Sequence, residues 1–454
     1  MNIPALQENR TRSVALPVFS KYAAELLVEN DPKLADLLSE EYARQMSTLS
    51  LVAASSTQHP SVLAASGSVL SNLTTEGYPG ARYHGGCEIA DQIELLAIER
   101  AKKLFNAQYV NVQPHSGTSA NEIVIFNLLN PGDTILGLHI NAGGHLSHGA
   151  KASTISKYFN CINYGLTEQG ILDYDDIYRL AQQHRPKLII CGASAYPRAI
   201  DFAKFREISD SVGAFLLADI SHIAGLVAAR LHESPIDHAH FTTTSTYKQL
   251  LGPRGGLIMM GKDYMCTSDS NKNLKQIIDR GTFPGFQGTP DLAGIAAKAR
   301  ALDYASTPAF VEYANNIVHQ AAKLCNLFLK KGYSILTGGT DNHLFLINVK
   351  EMGLTGVVAE RALESCGLIV NKNIIPGDTE PPTITSGLRI GTNNTAMRGI
   401  TDADLVECAD LIDQVLRSTR LLTSSTYMLE HHVKTHVRSR VHTLAEYRPI
   451  PKYL

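Results

Sequence analysis

Thr242-Thr243-Thr244-Ser245-Thr246-Tyr247-Lys248-Gln249-Leu250-Leu251-Gly252-Pro253-Arg254-Gly255-Gly256 sets one lysine between a hydroxyl-rich strand end and a Gly-Pro-Arg-Gly-Gly turn. Upstream lies the apolar run Phe215-Leu216-Leu217-Ala218-Asp219-Ile220-Ser221-His222. A lysine in a shielded pocket can lose its proton and attack an aldehyde. A carboxylate closing an apolar run is costly without a cationic partner, and a protonated pyridine nitrogen is such a partner. Lys248 and Asp219 therefore read as the two anchors of a pyridoxal phosphate (PLP) enzyme. The blander readings are a solvated loop lysine and a helix-capping aspartate. The hydroxyls before Lys248, the glycines after it and the Asp-x-x-His spacing to His222 weigh against them.

A phosphate site is predicted in Val110-Asn111-Val112-Gln113-Pro114-His115-Ser116-Gly117-Thr118-Ser119-Ala120-Asn121, a strand followed by a Ser-Gly-Thr turn and a helix. Small residues let backbone N–H groups approach an anion at a helix N-terminus, and the hydroxyls of Ser116 and Thr118 add donors. By itself the turn reads equally well as a plain helix cap. Gly143-Gly144-His145-Leu146-Ser147-His148-Gly149 offers two histidines with no carboxylate or cysteine at ligand spacing nearby. No metal is expected there, and stacking of one imidazole on a flat cofactor is the better reading.

The chain has 454 residues, of which 44% are hydrophobic and 19% charged, the composition of a packed globular protein. Forty-one basic against forty-three acidic residues give no electrostatic support for nucleic-acid binding. No apolar run reaches membrane-spanning length, and the N-terminus lacks a signal-peptide profile, so a cytoplasmic protein is expected. The seven cysteines are scattered, which argues against a disulfide framework and a zinc site.

Residues 20–50 carry a helical rhythm. Beyond them, apolar runs without alternation (Tyr109 to Val112, Thr134 to Leu138, Lys187 to Cys191, Phe215 to Asp219, Phe241 to Thr243, Gly256 to Met260) alternate with amphipathic segments. That pattern predicts an α/β fold with a mainly parallel sheet covered on both faces. A helix over Pro308 to Lys331, strands near Tyr333 to Leu336, Leu344 to Val349 and Leu388 to Ile390, and a helix over Asp402 to Leu421 predict a smaller α+β unit. The expected division is a helical arm at 1–50, a large PLP-binding domain at 51–305 and a small C-terminal domain at 306–454.

The chain resembles the serine hydroxymethyltransferase family of fold-type I PLP enzymes from about residue 34 to about residue 415. The resemblance rests on Glu76-Gly77-Tyr78-Pro79-Gly80-Ala81-Arg82-Tyr83, Gly85-Gly86-Cys87-Glu88, Asn111 to Gly117, Gly252 to Gly256 and Thr337-Gly338-Gly339-Thr340-Asp341-Asn342-His343-Leu344. It implies that Lys248 holds the cofactor aldehyde, Asp219 pairs with the ring nitrogen and His145 stacks on the ring. Ser194 and His222 would lie near the ring oxygen, Ser116, Gly117 and Thr118 around the phosphate, and Gly285 would approach that phosphate from a second subunit. Arg389 would grip the substrate carboxylate. Glu76 would handle protons, with Tyr83 and His84 beside the substrate, and Tyr83, Ile140, Gly144, Leu146 and Asn373 would hold folate. The implied reaction moves a hydroxymethyl group between a small α-amino acid, serine or glycine or an α-substituted analogue, and tetrahydrofolate. The implied assembly is a homodimer with shared active sites, with a tetramer left open.

The departures cluster around the substrate. The family's Ile-Ala-Ser-Glu-Asn signature is here Val52-Ala53-Ala54-Ser55-Ser56, Thr74 and His84 stand in place of tyrosines, Ala142 and Tyr247 in place of histidines, and Ile140 in place of a leucine. Imidazole moves protons near neutral pH where a phenol largely does not, although His84 could equally be a size-conserving replacement. An alternative reading is thus a folate-independent aldolase, transaldolase or specialised biosynthetic PLP enzyme. A non-catalytic PLP-binding paralogue is a third, opposed by the joint presence of Lys248 and Asp219.

Overall fold

The computed structural model describes residues 5–267 and 272–450; the first four residues of the expected arm lie outside them. Two helices open the chain, α1 (Ala5–Asn30) and α2 (Pro32–Ser47). They are separate because Pro32 starts the second one and the Asp31 side chain accepts from the Leu34 N–H, capping it.

Seven strands form the central sheet: β1 (Tyr109–Asn111), β2 (Thr134–Leu138), β3 (Asn160–Tyr164), β4 (Leu188–Cys191), β5 (Phe215–Asp219), β6 (Phe241–Ser245) and β7 (Gly256–Met260). Their order is β1-β7-β6-β5-β4-β2-β3. Strands β2 to β6 pair in parallel, and β7 runs antiparallel to both its neighbours. The continuous apolar runs have a direct cause, since successive residues point to opposite covered faces. Ile189, Cys191, Leu216 and Ala218 join one buried cluster, whereas Leu188, Ile190 and Leu217 join the cluster on the other side. The expected mainly parallel α/β sheet is present, with one edge strand, β3, that the sequence reading passed over. Of its residues Asn160-Cys161-Ile162-Asn163-Tyr164 only Tyr164 is buried, and they carry no strong apolar signal.

A second sheet follows: β8 (Ser334–Ile335), β9 (Leu344–Asn348), β10 (Asn371–Asn373) and β11 (Gly387–Gly391), all antiparallel in the order β8-β9-β11-β10. It packs in its own apolar cluster, which also takes in Leu49 and Leu51 from the start of the chain. The helix expected to reach Leu421 ends at Ser418. Thr419 leaves the helix in an extended conformation, and Thr419–Thr423 pairs with Thr426–Leu429 as a hairpin around a Ser-Ser turn.

The fold brings the chemistry to the carboxyl ends of the parallel strands, where open α/β sheets place their ligands. Asp219 ends β5, and Lys248 lies in the connection from β6 to the antiparallel β7. Helix α3 (Gly117–Leu128) begins beside them.

Candidate active site

Asp219 is buried and fully engaged. Its Oδ2 accepts from Asn121 Nδ2 at 2.8 Å and lies 3.0 Å from His148 Nε2, while Oδ1 accepts from the Ser221 N–H at 2.9 Å. Burial pushes the carboxyl pKa up, but the hydrogen bond and charge of His148 outweigh it and hold the group well below the usual carboxylate range. An ionised carboxylate in such a site suits a cation, and a protonated ring nitrogen is one. Lys248 is 6% exposed. Burial draws its pKa down to about 8, against the opposing field of Asp219, so a substantial share of the amine is neutral near physiological pH.

Three imidazoles besides that of His148 line the same pocket. His145 shares its Nδ1 with the Ser147 hydroxyl at 2.8 Å, and burial lowers its pKa to about 4. His222 stacks on His343 with ring centroids 5.7 Å apart. Burial first, then the charge of Lys248, keeps His222 neutral. Its Nδ1 is buried without a hydrogen-bond partner, a polar atom open to a polar ligand.

The Ser116 side chain caps α3, accepting from the Ser119 N–H at 3.0 Å. The space beside Gly117 is bounded by Ser245 and the Ser221 hydroxyl, where a Cβ would come within 3.2 Å of Ser245 Cβ. Thr118 is exposed at the helix start. The helix-cap reading of this turn is met by Ser116 Oγ, and beside it the Ser245 Oγ is buried and unpartnered. These residues fit a phosphate at a helix N-terminus with a lysine and a carboxylate across the pocket.

Arg389 on β11 donates from Nε to Asn371 Oδ1 at 3.0 Å and from Nη1 to the Ser194 carbonyl at 2.6 Å. Burial lowers its pKa to about 10, so it remains a cation, and it has no carboxylate partner among the described residues. Ser194 is itself anchored, its N–H donating to the Gly143 carbonyl at 2.7 Å. Ile140 is half-buried in a short turn, Gly144 packs against the Leu138 carbonyl, Leu146 is exposed, and Asn373 donates to the Ile374 carbonyl at 2.6 Å.

Half-buried Glu76 and exposed Tyr83, His84 and Gly285 form a separate group. His84 Nε2 lies 3.2 Å from Glu76 Oε2, and Tyr83 meets Phe283 edge-on at 5.5 Å. Gly285 follows Phe283 and Pro284 at the surface. Among the described residues, no hydrogen bond, ion pair or ring contact joins this group to the Lys248 pocket.

The family profile described as serine hydroxymethyltransferase matches residues 27–412. The chain belongs to the serine hydroxymethyltransferase family. It is 48% identical over 425 residues to a serine hydroxymethyltransferase of Coprothermobacter proteolyticus, an alignment covering 93% of this chain and 98% of that protein. It is 47% identical over 381 residues to a serine hydroxymethyltransferase of Chromohalobacter salexigens, covering 84% and 88%. Membership makes the fold that of a type I PLP transferase and PLP the family's cofactor, with tetrahydrofolate as co-substrate. Tyr247 lays its ring 4.3 Å from the Arg254 guanidinium and 5.6 Å from Lys248 Nζ.

Three pocket residues, Asn121, Ser221 and His343, carry no role in the sequence, and His148 reads there only as a possible ligand or stacking ring. Each lay in a quoted motif, but only the fold shows what it touches. The absence of a nearby carboxylate had argued against His145 and His148 as a metal pair, yet Asp219 arrives from a distant strand, and the three ligand atoms lie within 4.8 Å of one another. Asn121 and His148 already donate to its Oδ2, the arrangement of a carboxylate braced for an organic cation.

Proposed function

We propose that this chain catalyses the reversible transfer of a hydroxymethyl group from serine to tetrahydrofolate, leaving glycine. The observation that carries this reading is the buried Lys248 opposite the braced Asp219, in a chain of this family. Lys248 holds the cofactor aldehyde, Asp219 the ring nitrogen, Ser116, Gly117 and Thr118 the phosphate, and Ser194 and His222 the ring oxygen. His145 covers the ring face. Bound there, PLP supplies the electron sink that stabilises negative charge on the amino acid's Cα.

Arg389 binds the substrate carboxylate, a planar acceptor that its fork matches and a lysine would not. Glu76, with His84 against it, moves the proton of the serine hydroxyl. Tyr83, Ile140, Gly144, Leu146 and Asn373 hold the folate.

The assembly is a homodimer whose sites are shared, each Glu76 group and Gly285 meeting the partner's Lys248 pocket. Support comes from the separation of these two groups within one chain, and from the exposed apolar side chains of Leu63, Val69, Leu73, Ile89, Leu95 and Leu96 in the same region as Glu76. All seven cysteines are free, as a reducing compartment keeps them, and we read the enzyme as cytoplasmic. No described helix is long and apolar enough to cross a membrane.

Purified protein given serine should form glycine only when tetrahydrofolate is present. Equal turnover of β-hydroxy amino acids without folate would replace this reading by the aldolase one, which His84 beside Glu76 favours.

A further inference from the structure

Lys298, on helix α4 (Leu292–Ala305), has no part in the chemistry above, yet it is 3% exposed and spends its whole ammonium group on backbone. Nζ donates to the carbonyls of Val112 at 2.6 Å, Pro114 at 3.0 Å and Gly256 at 3.2 Å. Three donors meet three acceptors, and among the described residues no carboxylate comes within ion-pair distance of Lys298. Burial draws its pKa down to about 7, against the opposing fields of Asp291 and Glu94. An unpaired buried charge is expensive, and an apolar side chain of similar length would avoid that cost.

The three carbonyls identify what the charge does. Val112 and Pro114 lead into the Ser116 turn, and Gly256 closes the turn that follows Lys248. These two segments also touch directly, the Gly256 N–H donating to the Pro114 carbonyl at 2.9 Å, while within the lysine loop the Thr246 N–H donates to the Gly255 carbonyl at 3.0 Å. Gly256 has no room for a Cβ against the Ser116 carbonyl, and the Lys298 Cε fills the space a Cβ on Gly255 would need.

We propose that Lys298 is a positioning residue: its ammonium pins the phosphate turn to the lysine loop, so that the two ends of PLP find their partners at one fixed separation. This rests on the PLP reading of the pocket. Preset spacing lowers the ordering cost of binding a ligand held at both ends.

The test is a PLP titration of the apoprotein by visible absorbance. Lys298→Met should raise the PLP dissociation constant about tenfold or more, the order of a charge-assisted hydrogen bond lost. Gly255→Ala should do the same while keeping the lysine, because its methyl group displaces Cε. It decides alone if Lys298→Met does not fold. Phe328→Leu, in the distant cluster around the second sheet, controls for general destabilisation and should lower the melting temperature with PLP affinity unchanged. Wild-type PLP affinity in the lysine and glycine variants would overturn the inference. Wild-type protein that takes up no PLP would overturn the functional reading, and this inference with it.

Discussion

His148 Nε2 and Asp219 Oδ2 lie 3.0 Å apart, each all but excluded from solvent. The imidazole, with Asn121 on the same oxygen, keeps the carboxylate ionised where burial alone would neutralise it. Asp219→Asn retains the shape and removes the charge that stabilises a protonated ring nitrogen. Its kcat should fall by roughly 10²–10³, the worth of one preorganised electrostatic partner. Steady-state kinetics at saturating PLP measure this, and a loss under twofold would contradict the assignment.

Lys248 gives a stability prediction with a definite sign. Its folded pKa, about 8, lies below the ordinary lysine value of 10.5, so the unfolded chain binds more protons between these limits. Stability rises with pH wherever the unfolded state holds more protons. The cost of burying the ammonium is therefore fully present below pH 8 and fades by about pH 10.5. Apo Lys248→Met should be more stable than apo wild type at pH 7, by about 3 kcal/mol at most, and the advantage should shrink towards pH 10. Paired chemical denaturation across that range reads the difference directly.

Arg389 is held by Asn371 and the Ser194 carbonyl, and its charge acts on His222 and Lys248 in the pocket. Arg389→Lys keeps the charge and loses the planar geometry. The KM for serine should rise roughly 10- to 100-fold, the range of a lost hydrogen bond to a charged group. Asn371→Ala, which only frees the guanidinium to turn, should cost less.

Sharing of the site between subunits predicts complementation. Glu76→Gln and Lys248→Met homodimers should each be nearly inactive. Refolded together in equal amounts, they should recover about a quarter of wild-type activity, since half the dimers are mixed and each carries one intact site. Mixed protein that stays inactive would place Glu76 and Lys248 in the same subunit's site.

Much of this was legible in the chain. Buried parallel strands announce themselves as unbroken apolar runs, and Asp219 was conspicuous for ending one. Lys248 was conspicuous for its setting between hydroxyls and glycines. What stayed hidden was contact across the sheet: Asn121 and His148 reach Asp219 from 98 and 71 residues away. Strand β3 and the 419–429 hairpin were missed because most of their residues are exposed or half-exposed and their apolar side chains form no continuous buried run. Lys298 carries no signal in the sequence, since nothing in its neighbours along the chain reports three carbonyls converging on it.

Reduction of the bound cofactor tests most directly whether Lys248 is the residue that carries PLP. Holoenzyme reduced with borohydride, digested and mapped by mass spectrometry should show one peptide bearing a reduced pyridoxyl group at Lys248, and the visible band should vanish. Labelling at Lys298 or at surface lysines, with Lys248 unmodified, would contradict the account.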